Sequence, residues 1–134
     1  MPSFSSLSEK RLATCELRLQ KLLREAIHQV DFTVLCGHRT QEEQDDAFRS
    51  GASTLKWPLS RHNQFPSMAV DIAPFPVDWN DTARFARLFG YIERIAHEQG
   101  VQIRWGGDWN ANYRTKDERL VDMPHIELVL EKKP

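Results

Sequence analysis

The amino-acid sequence predicts an α+β fold in which an antiparallel sheet is flanked by helices. Segments with the apolar spacing of helices are mixed along the chain with segments that alternate like strands, and the longest helical segment comes first. Some of the predicted connections are as short as hairpin loops, which favours antiparallel pairing of the strands. We therefore expect helices packed on the flank of one such sheet.

The first helix is predicted over residues 7–30. Ser6 and Glu9 have the spacing of a capping box, in which each side chain satisfies a backbone N–H group of the other residue. Apolar residues then recur at helical spacing, and the basic residues mostly fall on the opposite face, which is typical of an amphipathic helix.

A first strand is predicted at residues 32–36, a short run of apolar and β-branched residues. Thr40 and Glu43 form a second capping-box pattern, and the helix that they begin is predicted over residues 41–50. Gly51 ends this helix, since glycine is the commonest residue just beyond a helix C-terminus.

The remaining chain contains an irregular stretch, one more helix and three more strands. Residues 51–67 are predicted to be irregular and residues 68–73 to form a strand. Asn80 or Asp81 caps a helix over residues 81–99, where an apolar stripe recurs at helical spacing.

The last two strands are predicted at residues 101–105 and 125–130, with a polar loop over residues 110–121 between them. Alternation in the second of these strands places His125 and Glu127 on the same face.

Composition limits the classes of function. The chain has 134 residues, of which 40% are hydrophobic and 28% charged, and we expect one globular domain over residues 1–134. A formal net charge of −1 argues against a broad basic surface for nucleic acid. No apolar run approaches the roughly 20 residues that span a bilayer, and residues 1–6 lack the pattern of a secretory signal. We therefore expect a protein that is made in the cytoplasm and has neither a nucleic-acid nor a membrane partner. We also expect a monomer.

The two cysteines are too few for a disulfide framework. Cys15 lies in a helical pattern and Cys36 in a strand pattern, and both are predicted to be buried, reduced thiols. A thiol nucleophile at Cys36, near Arg39, is a weaker alternative.

Three side chains that lie far apart in the sequence have the chemistry of zinc ligands. They are His62 in the irregular stretch, Asp71 in the strand that follows it, and His125 at the start of the last strand. Imidazole and carboxylate groups both suit Zn²⁺, and three protein ligands leave a fourth position for water. Ala69 and Ala73 share a strand face with Asp71 and leave room for an ion. The strong zinc motifs are absent, so the spacing alone leaves other interpretations open.

Two acidic residues accompany His125. Asp122 precedes it by three residues, with Pro124 between them, and could take a proton from a water that a metal activates. A surface salt bridge or a helix cap is the alternative role for such a carboxylate. Glu127 could orient the imidazole of His125, or it could occupy an exposed edge.

Arg39 lies where the first strand ends and the next helix begins, a place that holds a functional side chain on a rigid frame. Its guanidinium can bind a carboxylate with two hydrogen bonds or stabilise an oxyanion. An ordinary surface salt bridge remains the alternative.

These residues belong to seven motifs whose order along the chain is informative. The motifs are Gly37-His38-Arg39-Thr40, Glu43-Gln44, Gly51-Ala52-Ser53, Ser60-Arg61-His62, Ala69-Val70-Asp71-Ile72-Ala73-Pro74, Trp105-Gly106-Gly107-Asp108-Trp109 and Asp122-Met123-Pro124-His125-Ile126-Glu127-Leu128. In this order they resemble the zinc D,D-carboxypeptidase and L-alanyl-D-glutamate endopeptidase family, which includes vancomycin-resistance peptidases and bacteriophage endolysins. The resemblance is closest to the small phage endopeptidases and spans most of the chain, from about residue 7 to residue 130.

The resemblance implies a hedgehog-like α+β fold, a zinc cofactor and a role for each of five residues. It implies His62, Asp71 and His125 as zinc ligands, Asp122 as the catalytic acid and base, and Arg39 as the group that binds substrate or stabilises the transition state. One departure concerns the spacing of the ligands. Eight residues separate His62 from Asp71, more than in many members, and an insertion at Phe65-Pro66 would alter the rim of the cleft.

The function implied is that of a phage or prophage endolysin, which hydrolyses the L-alanyl-D-glutamate bond of peptidoglycan stem peptides. Such a protein would reach the periplasmic wall through a holin-type pore. Two alternatives stay open: a D,D-carboxypeptidase or D-Ala-D-Ala dipeptidase on the same scaffold, and a non-catalytic zinc-containing binding module. Arg39 and Asp122 argue against the last of these, because a binding module needs neither group.

Overall fold

The computed structural model describes residues 2–114 and 121–129. Its elements are α1 (Ser6–Leu12), α2 (Leu17–Ala26), β1 (Phe32–Cys36), α3 (Gln41–Ser50), a 3-10 turn (Arg61–Asn63), β2 (Ala69–Pro74), α4 (Thr82–Glu98), β3 (Ile103–Trp105) and β4 (His125–Leu128). The predicted α+β class, with an antiparallel sheet and flanking helices, is confirmed.

The sheet has four strands in the order β1-β2-β4-β3, and every neighbouring pair is antiparallel. Its register places Asp71 of β2 opposite His125 of β4 on one side and opposite Cys36 of β1 on the other. Because residues paired across antiparallel strands lie within about 5.5 Å at Cα, three chemically active side chains are brought together by strand pairing alone.

The two faces of the sheet have different roles. Val70 and Ile72 of β2 belong to the hydrophobic core, whereas Asp71 between them points to the opposite face, as the pleat of a strand requires. In β4, Ile126 and Leu128 belong to the core. The helices cover the core face: α1 contacts β1, and α4 contacts α2, β2 and β3. The largest fully buried apolar side chains are Leu12, Leu19, Leu22, Leu23, Ile92, Ile126, Leu128, Val34 and Val70.

The single helix predicted over residues 7–30 is wrong, because two helices occupy this segment and four residues separate them. The break has a tertiary cause. Ser67 donates its N–H to the Thr14 carbonyl at 2.8 Å, and its own carbonyl accepts from Glu16 N at 2.9 Å, so this backbone pairs outside the helix. Cys15 accordingly lies in an isolated bridge to Ser67 and not in a helix.

The capping box predicted for Ser6 and Glu9 is also wrong. Ser5 is the N-cap of α1, and its hydroxyl accepts a hydrogen bond from Ser8 N at 3.1 Å. The second predicted capping box, at the start of α3, is present and involves Thr40 and Glu43.

The other boundaries differ by a few residues from those predicted. Gly51, with φ at +82°, ends α3 as expected, and Asp81 is the N-cap of α4. Strand β2 runs to Pro74, β3 begins at Ile103 and β4 ends at Leu128. Of the predicted loop over residues 110–121, residues 115–120 lie outside the described part of the chain, as does the end of the last predicted strand. Among the described residues, no helix combines the length and apolarity needed to cross a bilayer.

Candidate metal centre

Three predicted ligands meet at one point of the sheet. His62 Nε2 lies 3.1 Å from Asp71 Oδ1, His125 Nδ1 lies 3.2 Å from the same oxygen, and the two ring nitrogens are 3.3 Å apart. Both histidines are buried, at 2% and 7% exposure. The structure thus brings together side chains that the sequence separates, while their assignment as ligands stays a prediction.

The 3-10 turn delivers His62 to this point. Ser60 caps the turn by accepting from His62 N at 3.2 Å, and the Asn63 side chain accepts in return from Ser60 N at 3.0 Å. The backbone of the turn is tied to the connection between β1 and α3, because Arg39 N donates to the His62 carbonyl at 2.8 Å. These bonds fix the backbone that carries the His62 imidazole, although the surrounding chain is irregular.

The outer nitrogens of both imidazoles face acceptors. His62 Nδ1 is 2.7 Å from the Gly37 carbonyl oxygen, and His125 Nε2 is 2.9 Å from Glu127 Oε1. A carbonyl or carboxylate oxygen can only accept, so each of these nitrogens must carry the hydrogen. In the neutral imidazoles, His62 Nε2 and His125 Nδ1 then present lone pairs toward Asp71, the arrangement that metal-binding histidines adopt.

Two lone pairs and a carboxylate oxygen that face one another require a positive group between them. Ligand atoms about 2.0–2.1 Å from a tetrahedral zinc ion lie about 3.3–3.4 Å from each other. The observed separations of 3.1–3.3 Å therefore match the edges of such a site. The donor set fits a small divalent cation in both chemistry and spacing.

The electrostatics of the cluster agree with this geometry. Burial alone would lower the pKa of His62, but the Asp71 carboxylate outweighs it and raises that pKa to about 10. Burial is likewise outweighed at His125, where hydrogen bonds to Asp71 and Glu127 raise the pKa to about 8. For Asp71, burial opposes ionisation, yet the two histidines hold its pKa well below the ordinary range. The buried carboxylate of Asp71 thus favours positive charge beside it.

Cys36 borders the same cluster. Its Sγ lies 3.8 Å from His62 Nδ1 and 3.9 Å from Arg39 Nη2. One ligand atom from each of Cys36, His62 and Asp71 falls within 4.8 Å of the others, so these three could bind a metal ion. Binding through His62 Nδ1 would break the hydrogen bond to Gly37, whereas binding through Nε2 would keep it.

Both cysteines are free thiols. The prediction that both are buried holds for Cys15, whereas Cys36 is only half-buried. Burial, as the largest cause, raises the pKa of Cys15 to about 12.

Arg39 reaches the rim of the cluster from the start of α3. Its Nη2 lies 3.9 Å from Asp71 Oδ2, and its Nη1 donates to Gln44 Oε1 at 2.9 Å. The side chain is 17% exposed, so one part of the guanidinium is held by the protein while another faces the cluster. This position is compatible with an anionic or carbonyl-bearing ligand beside the metal site.

Asp122 is held at the rim by the loop that follows β3. Its backbone N–H donates to the Gly106 carbonyl at 2.8 Å, and Gly106 N donates to the His125 carbonyl at 2.9 Å. A side chain at Gly106 would collide with the Asp122 carbonyl oxygen, so glycine is required for this close approach. Burial and then the Asp71 charge raise the pKa of Asp122, while His125, His62 and Arg39 oppose that rise.

Glu127 is buried and has charged neighbours on both sides. Besides its bond to His125, it has Arg61 Nε and Arg104 Nη2 each 3.7 Å from its Oε2. Burial would raise the pKa of Glu127, but the bond to His125 and the two arginines lower it. Of its two predicted roles, the structure therefore places this carboxylate against the imidazole and not at an exposed edge.

The sequence did not indicate every group at the site. The contact of Arg104 with Glu127 depends on the register of β3 against β4, and that of Arg61 depends on how the 3-10 turn packs beside β4. A single sequence specifies neither. Gln44 belonged to one of the motifs, but its burial on α3 could not be read from the helical pattern.

Comparison with known proteins gives concordant matches. The sequence model of a family described as phage L-alanyl-D-glutamate peptidase matches residues 2–129. The chain is 37% identical over 134 residues to the L-alanyl-D-glutamate peptidase of Escherichia phage T5, covering 94% of this chain and 97% of that protein. It also superposes on the crystal structure of the Serratia marcescens L-Ala D-Glu endopeptidase ChiX with a TM-score of 0.75 and 28% identity, over 96% of this chain and 91% of that chain.

Proposed function

The chain belongs to the phage L-alanyl-D-glutamate peptidase family, and from this membership we propose how its site hydrolyses the bond between L-alanine and D-glutamate in peptidoglycan. Membership makes the protein a peptidoglycan peptidase of the endolysin type. The observation that carries the mechanism is the meeting of His62, Asp71 and His125. Arg39 Nη2 lies 3.9 Å from Asp71, and the charges of the cluster act on the carboxyl group of Asp122.

We propose that the metal is zinc and that it is held by His62 Nε2, Asp71 Oδ1 and His125 Nδ1. Two imidazoles and a carboxylate are a typical donor set for a catalytic zinc ion. When bound, zinc supplies Lewis acidity, which lowers the pKa of water to about 7 and polarises a peptide carbonyl.

Asp122 acts as the proton carrier. The attacking water gives up a proton to its carboxylate, and the same proton then passes to the nitrogen of D-glutamate as the peptide bond breaks. The second proton of the water leaves with the new carboxyl group and is taken up by the amine. The products are therefore a carboxylate on L-alanine and an ammonium group on D-glutamate, so atoms and protons balance. A raised pKa suits this role, because a general base works best when its pKa lies closer to the working pH.

Arg39 interacts with negative charge on the substrate. Its guanidinium faces the cluster and stabilises the negative charge that develops on the peptide carbonyl oxygen, or binds a stem-peptide carboxylate beside it. The protein's partner is therefore the anionic peptide of the bacterial wall.

The test is digestion of Gram-negative sacculi with and without a chelator, followed by identification of the new termini. We expect new D-glutamyl amino termini, loss of release on chelation and recovery on adding zinc. Free D-alanine without D-glutamyl termini would instead indicate the carboxypeptidase or dipeptidase alternative. Binding to sacculi with no chelator-sensitive hydrolysis would favour the non-catalytic module.

We also propose that the protein works as a monomeric single domain, made in the cytoplasm and released to the periplasmic wall through a pore. An enzyme made in the cytoplasm must pass the inner membrane to meet the wall, and a pore would give it that passage. Sedimentation of the purified protein should give the mass of one chain, and cell fractionation before lysis should recover it with the cytoplasm. A stable dimer or a periplasmic pool before pore formation would contradict this proposal.

A further inference from the structure

A glutamine that the mechanism does not use lies directly behind the proposed substrate arginine. Gln44 is on α3, and its side chain is 0% exposed. Its Oε1 accepts from Arg39 Nη1 at 2.9 Å and from Asn63 Nδ2 at 3.1 Å, and its Nε2 donates to Ser53 Oγ at 3.0 Å and the Leu55 carbonyl at 2.7 Å. The amide thus has four partners and is fully enclosed.

The chemistry of these partners fixes the orientation of the amide. Arginine can only donate and a backbone carbonyl can only accept, so the amide oxygen must face Arg39 and the nitrogen must face Leu55. A buried amide costs free energy unless it is hydrogen-bonded, and this one is satisfied on both sides. The oxygen that meets Arg39 therefore has a defined position.

The same group of contacts extends to the turn that carries His62. Asn63 Nδ2 donates to the Arg39 carbonyl at 3.2 Å as well as to Gln44, and Arg39 N donates to the His62 carbonyl at 2.8 Å. Gln44 hence joins three separate pieces of chain: the start of α3, the 3-10 turn and the segment at residues 53–55.

We propose that Gln44 is a positioning residue, which holds the Arg39 guanidinium in the orientation that binds substrate at the metal site. The inference rests on the role proposed for Arg39. An arginine side chain has many rotamers, and fixing one end of its fork leaves the other end, Nη2, directed at the rim beside Asp71. Catalysis depends on such orientation, since small misplacements of a binding group cost large factors in rate.

A double-mutant cycle tests the proposal. The variants are Gln44→Met, Arg39→Met and the pair, with kcat/KM measured on a soluble muropeptide whose stem begins L-Ala-D-Glu. We expect Gln44→Met to lower kcat/KM at least about tenfold in the wild-type background and less than about twofold in the Arg39→Met background. Zinc affinity, measured by chelator competition, should stay within about twofold in all four proteins.

Gln20→Met is the matched control. Gln20 donates to the Cys15 carbonyl at 2.8 Å, in the segment between α1 and α2 that supplies none of the site residues. The same side-chain change there should leave kcat/KM unaltered. If Gln44→Met does not fold, Gln44→Asn takes its place in the cycle. Asparagine has the same amide on a side chain that is one methylene shorter, so the amide no longer reaches Arg39.

The outcomes separate the two levels of inference. A wild-type protein that does not hydrolyse the muropeptide contradicts the proposed function itself. If the wild type is active and Gln44→Met lowers kcat/KM by the same factor with and without Arg39, the positioning role is overturned. Gln44 is then a purely structural residue. An Arg39→Met variant with undiminished kcat/KM overturns it as well.

Discussion

Glu127 controls which nitrogen of His125 is available to a cation. Its carboxylate fixes the hydrogen on Nε2 and leaves Nδ1 facing Asp71, and two arginines hold the carboxylate in its ionised form. A carboxylate that accepts a hydrogen bond from a metal-binding histidine commonly increases the affinity for the metal.

We therefore predict that Glu127→Gln weakens zinc binding by about 10–100-fold. The amide can present its NH₂ group to Nε2, which favours the tautomer with the hydrogen on the nitrogen that faces the metal. Zinc affinity is measured by competition with a chromogenic chelator, with Glu98→Gln on the exposed face of α4 as the control. Unchanged affinity in Glu127→Gln would show that the carboxylate does not direct the imidazole.

Asp122 is predicted to act on protons and not on the metal. Asp122→Asn preserves the size of the side chain but removes the base, so muropeptide hydrolysis should fall by about 10²–10⁴-fold. Zinc content should stay at the wild-type level, and Asp46→Asn on α3 serves as a control for an exposed carboxylate. Retained zinc with unimpaired hydrolysis is the result that the assigned role does not permit.

Helix α3 begins with a capping box whose strength depends on pH. The Glu43 side chain accepts from Thr40 N at 3.0 Å, and this backbone hydrogen bond, followed by the Thr40 side chain, lowers the pKa of Glu43 below its ordinary 4.5. A carboxyl group with a depressed pKa in the folded state adds stability above the unfolded value, and this stability is lost as the pH falls through the folded pKa.

The predicted effect is a pH-dependent difference in thermal stability. Wild type should melt above Glu43→Gln at pH 7. The two melting temperatures should converge as the pH falls below 4.5 and through the lowered pKa of Glu43, where the wild-type carboxyl becomes a neutral group like the amide. Glu42→Gln is the control, because it removes a charge from the same helical turn and leaves the capping box intact. A gap between wild type and Glu43→Gln that persists at low pH would contradict the assignment.

The elements differ in how well the sequence predicts them. Helix α3 was predicted with its correct ends because both ends carry local signals, Thr40 with Glu43 at one and Gly51 at the other. The break between α1 and α2 has no such local signal. It arises because Thr14 and Glu16 pair with Ser67, which is distant in sequence and close only once the sheet has formed.

The candidate site is a product of the whole molecule. The residue types of His62, Asp71 and His125 and the resemblance to a family indicated a zinc site, but no local pattern brings these residues together. The register between β2 and β4 does so for Asp71 and His125, and the link between Arg39 N and the His62 carbonyl ties the turn that carries His62 to the chain just beyond β1. The contacts of Gln44, Arg61 and Arg104 depend on the same packing and were therefore not predicted.

The neighbourhood of Cys36 leaves two donor sets that share His62 and Asp71. One completes the site with His125 Nδ1 and keeps the hydrogen bond between His62 and Gly37, and the other completes it with the Cys36 thiolate. The first set has the shorter separations and the defined tautomers, and it is the one on which the proposed mechanism depends.

X-ray absorption at the zinc edge of the metal-loaded protein distinguishes these two sets directly. We predict nitrogen and oxygen ligands at about 2.0–2.2 Å, with the scattering of two imidazole rings and with no sulfur. Cys36→Ser should leave this spectrum unchanged, whereas His125→Ala should remove one imidazole. A sulfur ligand at about 2.3 Å, or an unchanged imidazole count in His125→Ala, would contradict the account.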